Sequence, residues 1–434
     1  MFFNRSELCR GVHLNIINTN KFKKNFVNVN FVLPHKKEYA ALSSVLADVL
    51  TRATKSFPHL RDVERELDEC YGAQLSAFSS LKGESKIISV SMDSIGDCYA
   101  LGSDKIFERS CRLLYEVLFS PYMENGAFSV EYVESEKDKL LASVGRRKNS
   151  KRHYALDSCK KNMCSNEPFG IPSYGSEEDI RAVTAQGLYD FYKYMLECAS
   201  VELFFVGQED EKKVKKIFSD MFGNIPRKSY LPQQYPTAVP AGEPKYICEQ
   251  ADYKQSVLVM GFRTNISREN EQKYAFSVFN AVFGSGVNSK LFKVVREKMH
   301  LCYYASCSPE LAKGVAFVSS GIDSSNEKIT KEAILAQLAA TKRGDFTDED
   351  ISDCKKALEN AYKELYDSPD GLCGWYLGRV VFGDTESAES VAKKIGEVTR
   401  EQIMEVAEKM QLDTVFMLKG VAKECTPVSE EGEL

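Results

Sequence analysis

KLFKVVREKMHLCYYA, residues 290–305, changes its period halfway along. Leu291, Phe292, Val295 and Met299 recur on one face at helical spacing, with Lys293, Arg296 and Lys298 among them. From Leu301 the period shortens, and Leu301, Cys302, Tyr303 and Tyr304 predict the start of a buried strand. Read alone, Arg296 is a helix-end charge favoured by the dipole and Tyr303 a ring packed in a sheet.

The segment has a counterpart upstream. RELDECYGAQLSAFSS (65–80) followed by KIISVSMDSI (86–95) parallels REKMHLCYYASCSP (296–309) followed by GVAFVSSGIDSS (314–325). NFVNVNFVLP (25–34), alternating like a half-buried strand, precedes a helical stretch at 38–54, as SVLVMGFRTN (256–265) precedes one at 271–283. The offset is about 230 residues throughout, which predicts a duplicated α+β domain. Each copy closes alike. Helix, strand and helix are expected over 188–222, and helix then strand over 399–420, with Thr184 and Thr399 as N-caps. Long helices are expected over 130–148 and 348–367. Their charged residues read as solvated faces.

The stretch SYLPQQYPTAVPAGEP carries four of the 13 prolines and suits neither helix interior nor sheet. The expected organisation is therefore an α+β domain at 1–228, a linker at 229–244, a second α+β domain at 245–425 and a polar tail at 426–434. A chain of 434 residues with 43% hydrophobic and 27% charged residues is of ordinary globular composition. A net charge of −5 argues against nucleic acid as the main partner. No apolar run reaches membrane-spanning length, and the N-terminal MFFNRSELCRGV predicts no signal peptide. The 13 cysteines are scattered singly without CxxC spacing. They predict reduced thiols, a cytoplasmic location and no zinc knuckle.

Three stretches carry a family resemblance over essentially the whole chain: EPFGIPSYGSEEDIRAVTAQGLYDFYKYML (167–196), VELFFVGQEDEKKVKKIFSDMFGNIP (201–226) and VFGSGVNSKLFKVVREKMHLCYYASCS (282–308). In these the chain resembles the pitrilysin, insulinase and mitochondrial-processing-peptidase family of zinc peptidases. The resemblance implies two homologous domains, each an antiparallel or mixed sheet packed against helices. It also implies a clamshell of two such halves, with peptides cleaved inside.

That family carries His-x-x-Glu-His on a helix of its first domain, two His on one face holding Zn²⁺ with the Glu as base. The matching positions run from Ser44 to Asp48, with Ala47 in place of the base and neither His present. The apolar positions Leu42, Val45, Leu46, Val49 and Leu50 remain at helical spacing. Glu136 matches the family's third ligand; on its own pattern it is a solvated helix carboxylate. Since catalytic zinc takes three protein ligands, no metal or other cofactor is expected in this chain.

The family's second domain supplies an Arg and a Tyr, seven apart, to the zinc site of the opposite half, and Arg296 and Tyr303 match them. The resemblance implies that they act in trans: Arg donors to a substrate carbonyl, and Tyr O–H to the developing oxyanion. Gly284 and Gly286 match a loop that meets passing peptide; on their own they permit a tight turn. The implied partner is a homologous subunit with zinc, or a second copy of this chain. The alternative is a catalytically inert scaffold or peptide-binding homologue. A thiol nucleophile is disfavoured, since no Cys has a His near it in sequence.

Overall fold

The computed structural model describes residues 2–420 apart from 224, 226 and 229–238. The expected linker falls largely on 229–238, outside the described residues, as does the whole of the expected tail.

The first half runs β1 (Phe2–Cys9), β2 (Val12–Asn18), β3 (Lys24–Pro34), α1 (Lys37–Leu50), α2 (Leu60–Glu69), β4 (Gln74–Lys82) and β5 (Ser85–Ile95). It continues through α3 (Ile106–Phe119), a two-stranded ribbon of β6 (Met123–Glu124) and β7 (Ala127–Phe128), α4 (Val130–Asn149) and α5 (Lys151–Met163). It closes with α6 (Glu177–Arg181), α7 (Ala185–Cys198), β8 (Ser200–Gly207) and α8 (Glu211–Phe222). The second half runs β9 (Lys245–Ala251), β10 (Ser256–Arg263), α9 (Lys273–Phe283), a π-helix (Leu291–Lys298), β11 (Cys302–Glu310) and β12 (Val315–Ile322). Five helices follow: α10 (Glu327–Lys342), α11 (Asp348–Glu364), α12 (Pro369–Val380), α13 (Ala388–Gly396) and α14 (Arg400–Glu408). The strand β13 (Gln411–Gly420) ends the half.

The duplication is visible in the sheets. One has the order β1-β2-β8-β3-β5-β4 and the other β9-β13-β10-β12-β11. Apart from β1, strand follows strand in the same order, with β2 parallel to β8 and β9 parallel to β13, and the other shared neighbours antiparallel. Caps mark the closing helices of both copies. Thr184 Oγ1 accepts from Gly187 N at 3.1 Å, and Thr399 forms a capping box with Gln402.

Expectation and structure part at β3. A half-buried strand was expected from the alternation of 25–34, yet Asn25 through Pro34 are all buried. Val27, Val29, Phe31 and Leu33 enter the first core beneath α1, α3 and α7. Phe26 and Val32 enter a second cluster on the other face, with Leu372, Cys373, Tyr376, Leu377 and Val380 of α12. That helix belongs to the other half. The reciprocal contact also exists: Ala155, Cys159 and Met163 of α5 cover Val257, Val259, Phe317 and Phe416 of the second sheet. Each half thus lends one helix to the outer face of its neighbour's sheet. Asn30 tolerates burial because its neighbours satisfy its amide: it donates to Glu202 O at 3.0 Å and accepts from Ser89 Oγ at 2.6 Å.

The two β-hairpin tips also meet. Gly83, at φ +57°, lies so close to Ala312 that a Cβ would sit 2.6 Å from its carbonyl oxygen. Beside this contact the buried Lys313 ammonium bridges Glu84 and Glu167, and Arg263 ties Glu167 at 2.6 Å to Asp413 at 3.0 Å. A buried cluster of this kind fixes one docking geometry, since any shift leaves a charge without its counterion.

Candidate functional site

The metal-motif positions all lie on α1, which stops at Leu50 rather than continuing to 54. Val45, Leu46, Val49 and Leu50 are fully buried, while Leu42 is only half-buried. Ala40, Ala41, Ser43, Ser44 and Ala47 are buried too, so α1 is enclosed around most of its circumference. Ser44 Oγ donates to Ala40 O at 3.1 Å and lies 2.9 Å from Ser79 Oγ on β4. Ser79 in turn accepts from the Lys86 ammonium at 2.9 Å. Burial lowers Lys86 to about 7. Ala47, 1% exposed, is part of the core.

Glu136 corrects the expectation of a solvated carboxylate: it is 4% exposed and ion-paired to Arg52, with Lys139 Nζ at 2.8 Å. Its position on α4 against α1 explains the burial, and the two cations neutralise it. Asp48 faces the same place. Burial, reinforced by the Glu136 carboxylate, pushes Asp48 up to about 6. The residues here do not fit Zn²⁺: one position is a hydroxyl bound into a chain that ends on an ammonium, the base is a methyl, and the Glu136 carboxylate already has two cationic partners. Among the described residues no group of three or more His, Cys, Asp or Glu could hold a metal ion. The partners Ser79, Lys86, Arg52 and Lys139 were not identified from sequence, since no spacing links them to the motif.

Arg296 lies on the π-helix and Tyr303 on β11 of the other sheet. The segment expected as an α-helix is π-helical, with Met299 N donating to Val294 O at 2.9 Å. Only Leu291 and Val295 of the expected apolar face are buried; Phe292 is half-buried and Met299 exposed. The wider π-turn and the end of the helix carry Met299 off the buried stripe. His300, at φ +54°, then turns the chain into β11.

β11 corrects the expectation of a buried strand: it is the edge of the sheet and is largely half-buried. Cys302 pairs with Ile322 and Tyr304 with Gly321, so the register slips at Tyr303. A bulged edge residue is turned out of the ladder, and Tyr303 is 52% exposed. Its phenol donates to Asp323 Oδ1 at 2.9 Å, and that bond raises the phenol pKa, keeping the proton on. The Arg296 guanidinium lies 4.6 Å from the Phe292 ring and 3.4 Å from Glu297 Oε1. Both side chains, with His300 and Asp323, line one open depression of about 340 Å³. Asp323 was missed from sequence; it becomes Tyr303's partner only because β12 lies beside β11. Cys302 shares the depression, but burial raises its thiol pKa, which disfavours the thiolate.

Gly284 ends α9 against β11. A Cβ there would meet Cys307 Cβ at 2.4 Å, and its carbonyl accepts from Cys307 N at 2.8 Å. Gly286, at φ +83°, has open space around it. No helix among the described residues is long and apolar enough to cross a membrane, and every described cysteine is a free thiol.

Comparison with known proteins bears on the family and the fold. Residues 182–358 match the family model of the peptidase M16 inactive domain. A probable inactive metalloprotease of Bacillus subtilis, YmfF, is 32% identical over 410 residues, spanning 94% of this chain and 96% of its own length. An uncharacterised zinc protease of Mycobacterium leprae is 23% identical over 317 residues, 72% of this chain and 70% of its own. Among solved structures, a conserved protein from Enterococcus faecalis superposes with a TM-score of 0.90 at 28% identity, covering 97% of this chain and 99% of that one. A peptidase M16 inactive domain from Pseudomonas fluorescens has the same fold, with a TM-score of 0.80 at 16% identity, covering 98% and 100%.

Proposed function

The chain belongs to the M16 peptidase family, and on that premise we propose that it serves as the non-zinc subunit of a two-chain peptidase. A partner of the same fold would bring the metal-bearing helix and its zinc, which activates water for attack on a peptide bond. This chain would bring Arg296 and Tyr303. Arg296 offers fixed donors to the substrate carbonyl, and the protonated Tyr303 phenol donates to the oxyanion as it forms. The observation that carries the reading is that both groups reach one open depression, Tyr303 through a bulge in an edge strand.

The experiment is co-expression with a homologue that keeps His-x-x-Glu-His, assayed on a mixture of unstructured peptides. Hydrolysis is expected from the pair and not from this chain alone. A pair that assembles yet cleaves no faster than the partner by itself would refute the proposal.

A second reading is a catalytically inert scaffold, pairing with a homologue or with itself. It is favoured by the way Tyr303 and Arg296 each already have a partner within this chain, with Asp323 accepting from the phenol and Phe292 under the guanidinium. In that case the two side chains shape the surface and no cleavage accompanies assembly.

A further inference from the structure

α12 has two working faces. Leu372, Cys373, Tyr376, Leu377 and Val380 cover the first sheet. The opposite face, with Gly374 and Arg379, looks back toward its own half over a cavity of about 250 Å³. The cavity is unusually cationic. Arg268 and Arg379 line it with Lys273 and, from the first half, Lys82; Asp384 is its acidic lining residue.

Arg379 is 7% exposed, and its Nε has no hydrogen-bond partner. Its guanidinium stacks 3.5 Å from the centre of the Trp375 ring, and Asp384 lies 3.8 Å from Nε, beyond hydrogen-bond reach. The Nε of Arg268 is likewise buried without a partner. The same Asp384 is shared with Lys273, 3.7 Å away. Burial lowers the pKa of both arginines, and Arg268 lowers that of Arg379 further. Glu310 and Asp384 act in the opposite sense on Arg268. A guanidinium keeps its charge when buried, so burial without a close counterion is costly, and Asp384 is the carboxylate that lines the cavity beside four cations.

We infer that this cavity is a binding site for a small oxyanion, a phosphate or carboxylate group seated between Arg268 and Arg379. The forked guanidinium donors suit the oxygens of such a group. Gly374 lies at the exposed rim of the cavity, where a Cβ would meet nothing within 4 Å, and leaves the way in open. A bound anion would fasten α12, the helix that spans both halves, to the half it comes from. The site owes nothing to the peptidase reading.

The test is thermal unfolding of the full chain in inorganic phosphate or acetate, each against sodium chloride of matched ionic strength. Binding to the folded state raises Tm, by about 1–3 °C for a chain of this size at anion concentrations about 10–100 times Kd. Phosphate is expected to raise Tm of the natural chain and to leave Arg268→Gln unmoved. An acetate response lost in the same variant would also support the site, with carboxylate as its ligand. Should Arg268→Gln not fold, Gly374→Asp decides: its carboxylate, placed at the mouth of the cavity, is expected to raise Tm without added anion and abolish the response. No shift beyond chloride for either anion, or an undiminished shift in the variants, overturns the inference.

Discussion

Tyr303 and Asp48 show how far a single side chain's surroundings set its chemistry. If the phenol donates to an oxyanion in the assembled pair, losing that donor costs about 10²–10³-fold in rate. Tyr303→Phe is therefore expected to lower turnover by that factor while complex formation, followed by size-exclusion chromatography, is unchanged. Undiminished turnover would remove Tyr303 from the site. Asp48 carries a different cost. Its folded pKa is raised to about 6 from an ordinary 3.8, so the folded state binds its proton more tightly than the unfolded chain. Stability from this group is thus full below pH 4, falls as pH rises towards 6, and is lost above. Asp48→Asn removes the penalty and is expected to stabilise the chain at pH 7 by about 1–2 kcal/mol after allowance for solvent screening. Urea unfolding at pH 7 and pH 3.5 checks it, with the gain absent at the lower pH. The absence of His and Glu at positions 44, 47 and 48 was plain from sequence. That Glu136 is buried between Arg52 and Lys139 was not, because its neighbours on α4 are charged and the pattern resembles a solvent face.

Local periodicity located most elements, and the exceptions cluster around the candidate site. The π-helix at Leu291–Lys298 and the register slip at Tyr303 follow one another directly. Both depart from the regular spacings of 3.6 and 2 that sequence reading relies on, so both were invisible there. Gly284 fixes where this unit begins, since α9 ends in contact with Cys307 of β11. Gly284→Ala forces a methyl into that contact. It is expected to lower stability by about 1–3 kcal/mol, the usual cost of overpacking. Guanidinium denaturation measures this, and a stability equal to the natural chain's would show that β11 gives way without cost.

Across the whole molecule, the two halves are bound by exchanged helices, docked hairpin tips and a buried ion cluster. The outer faces of both sheets depend on the exchange, so neither half carries all the residues its own sheet needs. Residues 1–228 expressed alone would expose Ile17, Phe26, Val32 and Phe204, which α12 covers in the intact chain. Such a fragment is expected to bind a hydrophobic dye and to aggregate; a stable, dye-silent monomer would show that the exchange is dispensable. The sequence by itself determined the repeated strand-and-helix units, the duplication, the resemblance to M16 peptidases and the vacancy of the metal motif. All of these reside in spacing along the chain, which local burial writes directly into residue type. Tertiary structure alone decided that β3 and β10 are covered on both sides, that Glu136 and Lys86 lie inside, and that Tyr303 stands out at an edge. Those outcomes depend on which distant surface arrives to cover a given face, and a strand's own alternation carries no record of its second neighbour.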